Sequence, residues 1–222
     1  FAAAISFSQG KSLEDIRHGL RTFATSFFQA PGRMNVYDDH PFKVILDYGH
    51  NPAAISAMTK LTDQLEPKGK RICVIAMPGD RRDEDIEEAA GIVAGSFDHY
   101  ICRRDDGLRG REPGEVPRIL KAALMAAGVD ESQITIVEEE EKAVNAALEM
   151  AKAGDLLLIF ADDITRSWKQ IIYYSPEGAL PHSPEASQET RTMPELPDLQ
   201  VGETGRLIRD ERGVRLARDI ED

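Results

Sequence analysis

The strongest constraint on how this chain folds is a polar hexapeptide, Asp47–Pro52 (DYGHNP), set between two apolar runs. The run before it, Phe42–Leu46 (FKVIL), is short, β-branched and bounded by Pro41, which predicts a buried strand. The run after it carries Ile55, Met58, Thr59, Leu61 and Leu65 at helical spacing. That predicts an amphipathic helix starting at Asn51 or Pro52. Asp47, His50 and Asn51 are thereby placed where a strand ends and a helix begins. In open α/β sheets ligands bind at that edge, and a helix N-terminus favours anions. Asp and Asn also serve simply as helix caps, and a single histidine in a turn is more often structural than catalytic.

Beyond the hexapeptide, strands and helices alternate. Strands are expected at 34–38, 42–46, 71–77, 99–103, 133–137 and 155–161, the first two as a hairpin about Asp39–Pro41. Helices are expected at 53–65, 85–95, 116–127, 141–153 and 165–173. Near-continuous apolar strands separated by helices predict a Rossmann-like, mostly parallel α/β sheet covered on both faces. Ahead of this unit, residues 1–7 resemble the tail of a helix already under way, and Ser12 begins a second helix with Leu13, Ile16, Leu20 and Phe23 on one face. The expected division is 1–29 as the end of a preceding domain, 30–175 as the α/β domain, and 176–222 as linker and tail. Residues 176–198 carry five prolines among Glu, Ser and Thr, a linker composition. Leu207–Ile208 and Val214–Leu216 suit a small hairpin.

The 222 residues include 39 acidic and 27 basic ones, a net charge of −12. Such a balance excludes general nucleic-acid backbone binding, which needs clustered positive charge. No apolar run approaches the length of a membrane span. Cys73 and Cys102 fall inside predicted strands without metal-ligand spacing, which points to a reducing, cytoplasmic compartment and no metal site.

Three further loops share the edge that holds DYGHNP: Pro78–Asp83 (PGDRRD), Arg104–Arg111 (RDDGLRGR) and Asp162–Lys169 (DDITRSWK). All mix carboxylates with guanidinium groups. Arginine is suited to bidentate contact with phosphate or carboxylate, and aspartate to ammonium, guanidinium or metal. Solvated salt bridges are the plain alternative for each loop. Likewise Thr165 is a candidate helix cap, Trp168 a core anchor, and Glu138–Glu141 (EEEE) a solvated, dipole-favoured helix start. The chain holds no P-loop, nucleophile elbow, zinc-protease helix or dinucleotide glycine fingerprint.

Arg33 in PGRMN (31–35), followed by DYGHNP, resembles the start of the C-terminal domain of the Mur ligase superfamily. GDRRDEDI (79–86), DDGLRGR (105–111) and DDITRSWKQI (162–171) are similar more specifically to the cyanophycin synthetase family. The resemblance spans residues 1–173. It implies an ATP- and Mg2+-dependent, amide-forming ligase that adds arginine to the β-carboxyl of an aspartate-terminated cyanophycin chain through an acyl phosphate. It also implies that the P-loop and most metal ligands belong to a preceding domain of the same polypeptide, that the present domain is inactive alone, and that the enzyme is a homo-oligomer. By the same resemblance Arg33, Asp47 and His50 face the nucleotide, and His50 and Asn51 the reaction centre. Arg82, Asp83, Asp105, Asp106, Arg109, Arg111, Asp162, Thr165 and Arg166 are the candidates for arginine or the polymer end. A peptidoglycan or folylpolyglutamate ligase domain, or a degenerate module that only binds, fits the same motifs.

Overall fold

The computed structural model describes residues 1–23, 26–175, 205–210 and 213–218. Two helices come first, α1 (Ala2–Ser8) and α2 (Leu13–Thr22). Ser12 caps α2 by accepting the Asp15 N–H at 3.1 Å. The apolar face foreseen for α2 is largely open to solvent at Leu13, Leu20 and Phe23.

The α/β unit follows as β1 (Asn35–Tyr37), β2 (Lys43–Asp47), α3 (Pro52–Gln64), β3 (Arg71–Ile75), α4 (Asp83–Val93), β4 (His99–Cys102), α5 (Glu115–Ala126), β5 (Ile134–Ile136), α6 (Glu140–Met150), β6 (Leu156–Phe160) and α7 (Ile164–Tyr173). The six strands lie in the order β1-β2-β6-β3-β4-β5. All neighbours pair in parallel except β1, which runs antiparallel to β2 with Asn35 opposite Leu46. The expected hairpin and Rossmann-like parallel sheet are thus both present. Because β1 runs backwards, its first residues lie beside the carboxyl end of β2.

Alternate strand residues feed two cores. Ile45, Cys73, Ile75, Tyr100, Leu156 and Leu158 face α3, α4 and α5, represented by Ile55, Ile86 and Leu120. Val44, Leu46, Val74, Leu157 and Ile159 face α6 and α7, through Val144, Leu148 and Ile171. Two-faced burial explains why the strands show runs of apolar residues rather than alternation. Cys73 and Cys102 are free thiols within these strands, and burial pushes Cys102 up to about 12 and Cys73 up as well. They act as core residues, not nucleophiles. Trp168, the expected anchor, stacks on Phe27 at 4.8 Å and meets Tyr37 edge-on.

Two local expectations change. Asp163, not Thr165, caps α7 by accepting the Arg166 N–H at 2.9 Å, while Thr165 is exposed on the first turn. Helix α4 starts two residues early, at Asp83, because Asp83, Glu84 and Asp85 suit the positive end of a helix. Separately, β7 (Gly205–Asp210) and β8 (Gly213–Arg218) form the expected antiparallel hairpin. The proline-rich stretch 176–198 lies outside the described residues. Among the described residues no helix is long and apolar enough to cross a membrane.

Leu158 is fully buried at the middle of the sheet. Leu158→Ala should lower unfolding free energy by about 2–5 kcal/mol in urea denaturation. A loss under about 1 kcal/mol would mean that the core repacks around the cavity or that β6 is not central.

Candidate functional site

The polar loops gather at the carboxyl edge of the parallel strands in two adjoining clusters. The first is built on β1, β2 and the start of α3. Asp47, the last residue of β2, is nearly buried, and its Oδ2 accepts the Met34 N–H at 2.9 Å. Met34 holds that contact with φ at +49°, a left-handed conformation that a methionine rarely adopts. Arg33 stands beside it, exposed, with its guanidinium 5.7 Å from the centre of the Tyr48 ring. His50 Nδ1 lies 3.0 Å from the Tyr48 carbonyl. Asn51 accepts the Ala54 N–H at 2.9 Å and so caps α3, with Pro52 in the first turn. Gly49 is required by close packing, since a Cβ there would come within 2.8 Å of the Phe160 ring. A cation, a carboxylate and a capped helix N-terminus therefore share one corner, a donor set suited to a ribose and a polyphosphate.

The second cluster joins the loops after β3, β4 and β6. Arg103, the residue after β4, is wholly buried. Its guanidinium binds Glu140 at 2.9 Å, Asp162 at 2.9 Å and the Phe160 carbonyl at 2.8 Å. Arg166 lies between Glu140 at 2.8 Å and Asp106 at 2.7 Å. Arg109 reaches Asp105 at 2.9 Å and Asp80 at 3.3 Å, with φ at +47°. Arg111 donates to the Gly79 and Arg81 carbonyls and pairs with Asp83 and Glu115. Gly79 leaves room for the Leu108 carbonyl, which a Cβ would strike. So Asp105, Asp106, Arg109, Asp162 and Arg166 come together. Arg111 and Asp83 instead bind the loops to α5. Arg82 is exposed and pairs with Asp85 in the first turn of α4.

Glu140 overturns the expectation that Glu138–Glu141 is a solvated helix start. It is 1% exposed, and it accepts from the Asp162 and Asp163 N–H groups and the Ser167 hydroxyl besides the two arginines. Nothing in a run of four glutamates marks one of them as buried. Arg103 gave a slight signal as the charged end of an otherwise apolar strand. Oxygens of Asp106, Glu140 and Asp162 approach within 4.8 Å of one another, but Arg103 and Arg166 stand among them. The trio is an ion-pair cluster, and a metal there would have to expel a fully buried guanidinium.

Burial and the neighbouring Asp162 carboxylate push Asp105 up to about 6. Asp162 is only partly buried, and although that burial raises it, Arg103 and a hydrogen bond from Asp105 hold it below the usual carboxylate range. The dyad thus carries one proton, on Asp105, at mildly acidic pH.

These features define the class. Residues 32–162 match the family described as "Mur ligase, glutamate ligase domain", and the chain belongs to that family. Within it, the chain is 38% identical over 173 residues to the cyanophycin synthetase of Geminocystis herdmanii, covering 78% of this chain and 20% of that protein. It is 31% identical over 159 residues to the UDP-N-acetylmuramoyl-L-alanyl-D-glutamate–2,6-diaminopimelate ligase of Aquifex aeolicus, covering 71% of this chain and 31% of that one. The chain thus spans about a fifth of the length of the cyanophycin synthetases it matches. Among solved structures it resembles E. coli FolC in complex with ADP, at a TM-score of 0.55 and 25% identity, over 72% of this chain and 34% of that one. It shares its fold with MurC from Thermotoga maritima, at a TM-score of 0.53 and 17% identity, over 76% and 35% respectively.

The raised Asp105 has a consequence for stability. The folded chain keeps this proton up to pH about 6, whereas an unfolded aspartate releases it near pH 4. Between those values the native state binds more protons, so stability falls as pH rises. Asp105→Asn should flatten that fall by about 1–2 kcal/mol between pH 4.5 and 6.5, read from urea midpoints. An unchanged slope would show that Asp105 is ionised throughout.

Proposed function

We propose that this chain is the C-terminal domain of an ATP-dependent amide ligase of the cyanophycin synthetase kind, which adds arginine to the β-carboxyl of a polyaspartate chain. The mixed cluster of Asp105, Asp106, Asp162, Arg109 and Arg166 beside the nucleotide-suited corner of Arg33 and Asp47 carries this reading. Free arginine presents a carboxylate and a guanidinium, and recognising it takes both an arginine and aspartates. The similarity to cyanophycin synthetases supports that substrate over diaminopimelate, alanine or glutamate.

In this reading Asp47 faces the ribose, and Arg33, His50 and the α3 N-terminus face the phosphates. The terminal β-carboxylate of the polymer attacks the γ-phosphorus and ADP leaves. The neutral α-amine of arginine then attacks the acyl carbon, the acyl C–O bond breaks, and the departing phosphate carries off the proton the nitrogen gives up as the amide forms. The domain's part is positioning and charge stabilisation, since phosphoryl transfer asks for aligned donors more than for covalent help from the protein. The chain contains no P-loop. The preceding domain of the same polypeptide supplies it and holds Mg2+, so the domain works only as part of the whole, homo-oligomeric enzyme.

The test is ADP release by the complete ligase given ATP, magnesium, an aspartate-terminated primer and one amino acid at a time. Arginine alone should stimulate release. Arg33→Ala or Asp47→Ala should raise the KM for ATP about tenfold or more, and Asp105→Asn or Arg109→Ala the KM for arginine. Stimulation by a different amino acid would move the chain to another ligase of the family. No stimulation by any would make it a binding module.

A further inference from the structure

Five charged side chains form a row of alternating sign at the carboxyl edge, three carboxylates with two guanidinium groups between them, and a backbone N–H closes the row into a ring. Asp162 binds Arg103, Arg103 binds Glu140, Glu140 binds Arg166 and Arg166 binds Asp106. The Asp106 N–H then donates back to Asp162 at 3.2 Å. The members differ in exposure. The side chains of Arg103 and Glu140 are 0% exposed, while those of Asp106, Asp162 and Arg166 are 43%, 26% and 33% exposed. The three outer members face the place assigned to the amino acid, and the two inner ones cannot touch it.

We propose that Glu140, acting with Arg103, is a positioning residue for the amino-acid site: the buried pair sets where Asp106, Asp162 and Arg166 present their charges. This rests on those loops being the amino-acid site. Glu140 sits in the first turn of α6, yet its carboxylate serves another part of the chain. It takes the Asp162 and Asp163 N–H groups at 2.6 and 3.2 Å, the Ser167 hydroxyl at 2.8 Å and the Arg166 guanidinium at 2.8 Å. Every one of these donors belongs to the loop after β6 or the start of α7. The remaining contact, Arg103 at 2.9 Å, ties that segment to the end of β4, where Asp105 and Asp106 begin. One carboxylate thus fixes the spacing between the two loops that would grip opposite ends of the substrate. Glu140 has no direct bond to Arg33 or Asp47 among the described residues, so its effect falls first on the amino-acid loops.

Glu140→Gln in the complete ligase keeps shape but removes the charge and turns a donor toward other donors. It should raise the KM for arginine about tenfold or more while the KM for ATP stays within about twofold, because misplacing a binding group by an ångström is enough for such a loss. Ser167→Ala, which removes one donor and leaves no charge unpaired, should raise the arginine KM about two- to threefold at unaltered melting temperature. It answers the question even if Glu140→Gln does not fold. Both KM values unchanged in a folded variant, with only kcat or melting temperature lowered, would make the pair a plain structural element and overturn the inference. Should an amino acid other than arginine stimulate the native ligase, the functional reading fails. The inference is then judged on the KM of that amino acid in the same variants.

Discussion

Strand β6 is the constraint on which both clusters depend. It is the last strand of the α/β unit in the sequence but lies between β2 and β3 in space, hydrogen-bonded on both sides. Leu156–Phe160 therefore has no solvent face, and all five residues are buried. Its final residue meets both halves of the site. The Phe160 ring fills the space left by Gly49, and its carbonyl accepts a hydrogen bond from Arg103. Until β6 is inserted, the turn after β2 and the loops after β3 and β4 lack a common floor.

Placing charge next to that floor is expensive. Desolvating a guanidinium and a carboxylate costs several kcal/mol each, and an apolar pair of the same volume often does as well or better for stability. Here every oxygen of Glu140 and most of the Arg103 guanidinium have partners, so the cost is largely offset rather than turned to profit. What the ion pair provides is direction, as it defines where a helix start, a loop and a strand end lie relative to one another. A greasy contact, being non-directional, would not.

The architecture was legible because it rests on period and punctuation. Short apolar runs, each followed by polar or turn-forming residues and then a helical stripe, specify β-α units whatever their tertiary partners. The shared edge of the polar loops followed from topology alone, since parallel strands place their carboxyl ends together. Less was legible within the site. Arg111 sits in the same motif as Arg109 and Asp106, and Asp83 in another motif of the same edge, but both turn to the scaffold, and sequence carries no mark of that. Glu140 was hidden because burial of a charge is decided by partners 22 to 37 residues away, not by its neighbours in an acidic run. The cap of α7 was misplaced by two residues because Asp163 and Thr165 are both good caps, and only the loop geometry chooses.

The reversed strand β1 has a consequence for how the two clusters come into being. The bond from Met34 to Asp47 spans 13 residues and needs only a hairpin, whereas that from Arg103 to Asp162 spans 59 and needs most of the sheet. Short loops close at small entropic cost and long ones wait for the rest of the fold. The Met34–Asp47 bond of the nucleotide-suited corner is thus a local product of the hairpin, although the finished corner still needs Phe160 beneath Gly49. The charged ring is a global one, intact only while all of β2–β6 is in register, so that its integrity reports on the whole domain.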